Sequence, residues 1–355
     1  VAQHQRLFSE SRAPDCPEDS SNLSSLLTRL CSERYYMSPE AFSGRSSSYG
    51  PLGAELKRNL TEQWSSAVRS RALVFGISTA ALGSKDHEPT TKVINSQALQ
   101  ETLRTASSTA EETSRKIQEL LRDSASFRTS LLPGALQQYK QMLELVNGSL
   151  PFGLTEIGLC HRFDDQLPPL TGCSSEVTHS SLVWFCSPRT SSQWMDYWAH
   201  QRLQWWRKLA VNPSDFNLCS MEDEVDKQRA NQGLKIMYNF PWGTTTLETL
   251  WSLGDAPLLK MYPETPSKIQ CRDGRKSVVP HIISISADLD RGMQAFLVNS
   301  LQLHTHSESK QKLHQRTVLK LHAALTPVKV ALDVGQGPIS ELRQVQMPFY
   351  SAAVV

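Results

Sequence analysis

The chain has 355 residues, 39% of them hydrophobic and 20% charged, so it can bury a substantial core and is expected to form more than one domain. This composition excludes a fibrous or wholly disordered protein. The formal net charge of +2 is too small to indicate a polyanionic partner by itself, so an argument for nucleic-acid binding must come from local clusters of charge.

The seven cysteines are scattered along the chain and form no Cys-x-x-Cys pair. This spacing argues against a zinc ribbon and against a disulfide framework, and it favours a reducing compartment. No apolar run approaches the roughly 20 residues that span a bilayer, so no membrane partner is predicted.

A leader and two helices are the first elements predicted along the chain. Residues 1–22 are polar and predict an unstructured leader, whose residues 1–14 fit a trimmed organelle-targeting segment. A helix is predicted to begin in NLSSLLTRLCSERYYM. After the turn at Pro51, Leu56, Leu60 and Trp64 recur at intervals of four and predict a second helix with one apolar face.

Two amphipathic helices separated by Pro133 and Gly134 are predicted next. Thr109 and Glu112 fit a capping box at the start of the first helix. The predicted apolar seam consists of Ile117, Leu120, Phe127, Leu131, Leu136, Tyr139, Leu143 and Val146. A single hairpin cannot bury both sides of such a seam, so it packs either against its own domain or against a second copy, and the pattern leaves both interpretations open.

From residue 150 onward the pattern is α+β. SLVWFC, LKIMYNF and VVPHIISIS predict buried strands, and SQWMDYWAHQRLQWWRKLAV predicts a helix between them. The apolar stripe of this helix consists of Trp194, Trp198, Trp205 and Leu209. We interpret the tryptophans as core, with a base-stacking surface as the alternative. The cations of the helix, Arg202, Arg207 and Lys208, are predicted to face water.

Several separated motifs carry a resemblance to a known family. YGPLGAELKRNL, QWMDYWAHQRLQWWRKL, YNFPWG, VPHIISISADLDRGM and LTPVKVALDV occur in the order found in class IIa glycyl-tRNA synthetases, which the chain resembles. SLVWF, PRTSSQWMDYW, LETLWSLGD, MYPETPSK and RDGRK are similar to one branch of that family, the accessory (processivity) subunits of mitochondrial DNA polymerase. The resemblance runs from about residue 22 to about residue 345.

The resemblance implies an α+β fold, a class II aminoacyl-tRNA synthetase-like antiparallel sheet flanked by helices. The core is expected over residues 23–84 and 149–322, a helical dimerisation insertion over 85–148, and an incomplete α/β anticodon-binding-like domain over 323–355. The shortened last domain is the largest departure from the family. The implied dimerisation residues are Ile117, Leu120, Phe127, Leu136, Tyr139, Leu143 and Val146.

The resemblance also implies a relic nucleotide site that has lost adenylate chemistry. Its residues are Arg162, Asp164, Ser181, Val183, Ser284, Asp288 and Arg291. In the synthetases the two matching arginines bind ATP, whereas the matching strands carry glutamates for the amino acid where this chain has serines and Val183. Asp288 replaces a glycine. We therefore predict no catalytic residue and no cofactor.

The two surviving arginines have a ligand-free interpretation. Arg162 and Arg291 serve either as nucleotide ligands or as struts, and the strength of arginine–carboxylate pairs favours struts. The acids available to such struts are Asp164, Asp288 and Asp290. His304 and His306 lack a third ligand at metal-binding spacing, so no metal site is predicted.

Basic residues cluster near the C-terminal end. Residues 268–329 contain ten Lys or Arg and four acids, a local excess of six positive charges. Such clustering suits sequence-independent contact with phosphates, and solvated surface is the alternative. The predicted DNA-binding residues are Arg272, Arg275, Lys276, Lys310, Lys312, Arg316 and Lys320.

Our hypothesis is a non-enzymatic processivity factor of the mitochondrial matrix and nucleoid. Its predicted partners are the mitochondrial DNA polymerase catalytic subunit, double-stranded DNA and a second copy of itself. Two alternatives remain open: a divergent glycyl-tRNA synthetase, and a truncated isoform that dimerises without supporting the polymerase.

Overall fold

The computed structural model describes residues 17–38, 49–70, 72–83, 92–104, 110–161, 176–221, 232–307 and 313–329. Its helices are α1 (Pro17–Glu33), α2 (Pro51–Arg69), α3 (Ser96–Arg104), α4 (Ala110–Asp123), α5 (Leu132–Leu145), α6 (Ser191–Lys208), α7 (Ala256–Met261) and α8 (Leu289–Ser300). No helix in these ranges is long and apolar enough to cross a bilayer.

The strands are β1 (Val74–Gly76), β2 (Leu82–Gly83), β3 (Lys92–Val93), β4 (Ala125–Phe127), β5 (Phe152–His161), β6 (Glu176–Cys186), β7 (Phe216–Ser220), β8 (Gln232–Phe240), β9 (Gly243–Gly254), β10 (Cys271–Asp273), β11 (Lys276–Val278), β12 (His281–Asp288), β13 (Leu301–Ser307) and β14 (Leu313–Leu319). Seven of them form a central sheet in the order β1-β5-β6-β12-β9-β8-β7. All its pairings are antiparallel except that of β1 with β5. The predicted α+β class is confirmed.

One face of the sheet is covered by α2, α6 and α8. The predicted stripe of α2 is confirmed, because Leu56, Leu60 and Trp64 are fully buried. Trp198 and Trp205 of α6 are buried in the same cluster, and Trp194 packs against it. The tryptophans are therefore core, as interpreted, and the base-stacking alternative has no support from their burial.

The prediction that Arg202 faces water is wrong. Its side chain is buried, and its Nε donates to Glu248 Oε1 at 2.9 Å. The Arg202 guanidinium also lies 4.5 Å from the ring centre of Trp205. Burial is tolerated here because the charge has both a carboxylate partner and aromatic faces around it.

The opposite face of the sheet is covered by α5. Leu136, Tyr139 and Val146 are buried in a cluster with Phe152 and Phe185 from the sheet, and Leu143 packs against it. These predicted dimerisation residues thus fill the core of their own chain, where burial raises the pKa of Tyr139. They do not form a seam with the preceding helix, and that part of the hairpin prediction is wrong.

The predicted first helix is also shorter than expected. α4 ends at Asp123, and Phe127 lies instead in β4, which pairs with β2 and β3. Ser124 Oγ donates to the carbonyl of Leu121 at 2.7 Å, a side-chain bond that competes with continuation of the helix. The hairpin of this structure is α3–α4, which packs as a helix pair, and the predicted cap at Thr109 lies outside the described residues.

Candidate functional site

The sheet brings four of the predicted relic-site residues onto one face. Val183 on β6 pairs with Ser284 on β12, and Asp288 pairs with His179, so alternation along both strands places Ser181, Val183, Ser284 and Asp288 on the side covered by α5. We call these four residues the relic face. All four are buried, and Val183 is part of the apolar cluster under α5.

The relic face offers few charges to a ligand. Ser181, Val183 and Ser284 are uncharged, and Asp288 caps α8 by accepting from the backbone amide of Arg291 at 2.9 Å. The Arg291 side chain in turn approaches Asp288, with Nε and Oδ2 3.4 Å apart. This pairing is the strut arrangement that the sequence favours for Arg291. Arg162 and Asp164 lie outside the described residues.

Asp290, one of the acids available to the arginine struts, instead forms a network with groups from other elements. It accepts from Lys57 Nζ at 2.7 Å, from the backbone amide of Thr178 at 2.6 Å and from the hydroxyl of Tyr49. Burial, and after it the Asp290 carboxylate, raises the pKa of Tyr49 well above its ordinary value. The Asp290 carboxylate thus links α2, α8 and β6, and we interpret this network as structural.

Glu248 lies on the sheet face covered by α2, α6 and α8, and it was not predicted as a site residue from the sequence. It is fully buried, and besides Arg202 it accepts from Trp206 Nε1 at 2.6 Å and from Trp64 Nε1 at 3.4 Å. The available signal was a single acid inside the otherwise uncharged, leucine-rich run TLETLWSL, since an acid in a buried strand needs a charged or hydrogen-bonding partner.

A second missed pair lies beside the relic face. Glu156 on β5 pairs across the sheet with Ser181, and its carboxylate Oε1 lies 2.9 Å from Nη1 of Arg128. Arg128 follows β4 directly, so a residue of the predicted insertion reaches the sheet. Thr79 also donates to Glu156, from its backbone amide at 2.9 Å and its hydroxyl at 2.7 Å from Oε2.

The predicted DNA-binding residues divide into separate groups. Arg272, Arg275 and Lys276 are exposed on the β10–β11 hairpin, which turns at Gly274 with φ +62°. The acid between them, Asp273, is engaged by Ser187, whose hydroxyl donates to it at 2.7 Å. The hairpin therefore presents positive charge to solvent.

The remaining predicted cations lie elsewhere in the chain. Lys320 is exposed after β14, with its backbone amide bonded to Ser300 at the end of α8. The backbone of Arg316 lies in β14, and Lys310 and Lys312 lie outside the described residues.

The α3–α4 hairpin exposes apolar side chains. Leu103 is 53% exposed and Leu121 is 36% exposed, whereas Ile117 and Leu120 are half-buried. None of the described residues of α3 and α4 is buried. The hairpin therefore carries apolar surface that its own chain leaves open to solvent.

The described residues contain no group of three or more His, Cys, Asp or Glu side chains arranged to hold a metal ion. The backbones of His304 and His306 lie in β13, and their side chains are outside the described part of the structure.

Comparison with known proteins gives specific matches. A scan against protein-family profiles finds none that fits the chain. The DNA polymerase subunit gamma-2 of Mus musculus is 42% identical over 347 residues, which cover 94% of this chain and 74% of that protein. The mitochondrial DNA polymerase subunit gamma-2 of Xenopus laevis is 43% identical over 339 residues, or 90% and 70% of the two chains. The glycine–tRNA ligase of Staphylococcus haemolyticus is 28% identical over 207 residues, or 58% of this chain and 44% of the ligase.

Proposed function

Because the chain belongs to the DNA polymerase subunit gamma-2 family, we propose that it is a non-catalytic accessory subunit of mitochondrial DNA polymerase. In this role it binds the catalytic subunit and duplex DNA and increases the processivity of mitochondrial DNA replication. The observation that carries the proposal is 42% identity over 94% of the chain to the mouse protein. Its site of action is the mitochondrial matrix, in the nucleoid, in keeping with the mitochondrial designation of the Xenopus relative.

The composition of the relic face supports a non-catalytic role. Adenylate formation requires preorganised groups that stabilise charge at the reacting phosphate, and amino-acid binding requires acids for the ammonium group. Ser181, Val183 and Ser284 provide no charge, and Asp288 is engaged by the amide and side chain of Arg291. Glu156, the described acid beside this face, is likewise paired with Arg128, so neither carboxylate is left free for a glycine ammonium.

The domain organisation follows from the same relationship. Residues 23–84 and 149–322 form the class II synthetase-like core, residues 85–148 the insertion, and residues 323–355 the start of an anticodon-binding-like domain. The largely antiparallel sheet flanked by helices on both faces and the distant glycine–tRNA ligase similarity support this division.

The insertion is the surface we assign to self-association. The α3–α4 hairpin exposes Leu103 and Leu121, and no described residue on either helix is buried within the chain. Two copies of such a hairpin can bury these faces against each other as a four-helix bundle. We assign Ile117 and Leu120 to this interface. The other predicted dimerisation residues pack within the protomer: Phe127, Leu136, Tyr139, Leu143 and Val146.

The β10–β11 hairpin is the surface we assign to duplex DNA. Arg272, Arg275 and Lys276 are exposed, and Ser187 engages the intervening acid Asp273. Contacts from such residues to phosphates are independent of base sequence and weaken with salt. Added contacts lower the rate at which the polymerase leaves the template without changing nucleotide addition, which is how they increase processivity.

Primer extension at raised salt tests the proposal. With the catalytic subunit limiting, addition of this chain lengthens the products, because the added contacts offset the loss of phosphate binding at high salt. Unchanged product lengths would favour the alternative of an isoform that dimerises without supporting the polymerase. Glycine-dependent ATP–pyrophosphate exchange tests the other alternative, and robust exchange would establish a divergent synthetase.

A further inference from the structure

The α3–α4 hairpin joins the rest of the chain through a small β-structure. β3 precedes α3 and β4 follows α4, and the two strands pair with each other through Lys92 with Ser126 and Val93 with Ala125. Both ends of the hairpin are therefore held side by side. Arg128 follows β4 directly, so the chain that leaves the hairpin is held at once by the contacts of this side chain.

Arg128 is fixed by several acceptors from different parts of the chain. Its Nη1 lies 2.9 Å from Glu156 Oε1 and donates to the backbone carbonyl of Thr79 at 3.0 Å, while its Nε donates to the carbonyl of Leu159 at 2.8 Å. The side chains of Arg128 and Glu156 are only 12% and 4% exposed. The planar guanidinium suits this arrangement because its donors point in fixed, divergent directions.

Backbone and ring contacts complete this junction between the α3–α4 hairpin and the central sheet, which we call the joint. The amide of His161 donates to the carbonyl of Arg128 at 2.8 Å, and the His161 ring stacks on Phe127 with 3.9 Å between ring centres. A Cβ atom at position 158 would overlap the Arg128 guanidinium, so Gly158 allows the side chain to lie against β5. Gly158 and His179 are paired across the sheet, and His179 also pairs with Asp288, which puts Arg128 at the edge of the relic face.

We propose that the Arg128–Glu156 ion pair sets the orientation of the α3–α4 hairpin on the sheet and thereby sets the affinity of self-association. This inference rests on the proposed function, in which the hairpin is the self-association surface. The described residues of α3 and α4 contribute no buried side chain, and Arg128 adds side-chain bonds to the central sheet to the strand pairing at the base of the hairpin.

The joint influences the affinity of self-association because ordering a mobile hairpin during association costs conformational entropy. With the pair intact, the hairpin is presented in one orientation before two copies meet. Without it, each protomer orders its hairpin during association, and the dissociation constant rises. The remaining partner is also left as a buried charge with one interaction fewer, which favours local opening of the joint.

Sedimentation over a dilution series tests the inference with Arg128→Ala, Arg128→Lys and Glu156→Gln. Arg69→Ala, at an exposed arginine near the end of α2, is the matched control. The dissociation constant is expected to rise at least about tenfold for Arg128→Ala and by a smaller factor for Arg128→Lys, since an ammonium cannot reproduce the divergent donors. Arg69→Ala is expected to match the parent chain, and circular dichroism with thermal unfolding monitors the fold of every variant.

Chemical rescue separates a specific joint from general loss of structure. Arg128→Ala leaves a space bordered by the Glu156 carboxylate and the carbonyls of Thr79 and Leu159, which suits a guanidinium ion. Millimolar guanidinium is expected to restore association of Arg128→Ala, whereas tetramethylammonium at the same concentration is not.

Association of Arg128→Ala and Glu156→Gln with the parent affinity would overturn the inference and leave the proposed self-association intact. A parent chain that stays monomeric at every concentration would instead overturn the proposed self-association itself. Failure of Arg128→Ala to fold, together with parent-like association of Glu156→Gln and Arg128→Lys, would also count against the inference.

Discussion

Glu248 and Arg202 illustrate what a local pattern misses at single positions. Arg202, which was predicted to face water, lies four residues after Trp198 on α6, on the same side of the helix as the apolar stripe. Arg202 can be buried because it pairs with Glu248, which is 46 residues away in sequence and on a different element. No periodicity within the helix contains that information, and only the packed sheet brings the two charges together.

Removal of one member of this pair should be strongly destabilising. Arg202→Ala is expected to lower the free energy of unfolding by about 3–5 kcal/mol, because it leaves the Glu248 carboxylate buried with only indole donors. Urea unfolding measures the change. Lys208→Ala, at an exposed position on the same helix, is expected to change stability by less than about 0.5 kcal/mol. Equal effects of the two substitutions would contradict a stabilising role for the buried pair.

Buried thiols give the fold an alkaline pH dependence. Burial raises the pKa of Cys31 and of Cys186 from 9.0 to about 12. Above about pH 9 these thiols ionise in the unfolded chain but stay protonated in the folded one. Unfolding then releases protons, so the stability that they contribute below pH 9 is lost as the pH rises towards 12.

A double variant isolates this contribution from that of other titrating groups. Urea midpoints at about pH 8 and about pH 10 are expected to differ less for Cys31→Ala/Cys186→Ala than for the parent chain, because the variant lacks both ionising thiols. An equal decline in both proteins would show that the buried thiols are not its source.

The insertion shows how far secondary-structure patterns extend. The sequence predicts amphipathic helices in this region, and α4 and α5 are found where apolar spacing indicated them. It misjudges their pairing, because Leu136 and Tyr139 fit a helix seam and a sheet face equally well and only tertiary packing distinguishes the two. The short strand β4 is invisible to periodicity, since a strand of this length depends on its partners β2 and β3.

The exposed face of the α3–α4 hairpin can be tested by introducing charge. Leu103→Glu combined with Leu121→Glu is expected to weaken self-association at least about tenfold, because carboxylates buried between two copies lose their hydration. Light scattering across a concentration series measures the effect. Leu145→Glu, at a leucine that is 62% exposed on α5, serves as the control and should leave association unchanged.

The β10–β11 hairpin gives a prediction about salt. Replacement of Arg272, Arg275 and Lys276 by alanine is expected to weaken duplex binding for all sequences. It should also reduce the slope of log affinity against log salt by about 0.9 for each phosphate that the variant no longer neutralises. A control replaces three exposed arginines elsewhere, namely Arg29, Arg34 and Arg69. The same slope for the parent chain and the hairpin variant would exclude this surface as the DNA-binding site.

Across the whole molecule, the order of motifs was more informative than any single element. The buried strands, the α2 stripe and the tryptophan helix were predictable because each has a strong local pattern. The relic face was predictable in composition, and the structure brings Ser181, Val183, Ser284 and Asp288 together through sheet register. The ion pairs at Glu156 and Glu248 were not, because each joins distant segments through a charge whose burial only the completed fold creates.

The central claim of the proposed function is that this synthetase-like chain acts without catalysis, by slowing the dissociation of the polymerase from DNA. The decisive quantity is the dissociation rate of the mitochondrial polymerase catalytic subunit from a primed duplex, measured after addition of excess trap DNA with and without this chain. We expect slower dissociation in the presence of the chain, with an unchanged rate of nucleotide addition. An unchanged dissociation rate, under conditions where the chain is folded and in excess, would contradict the proposed function.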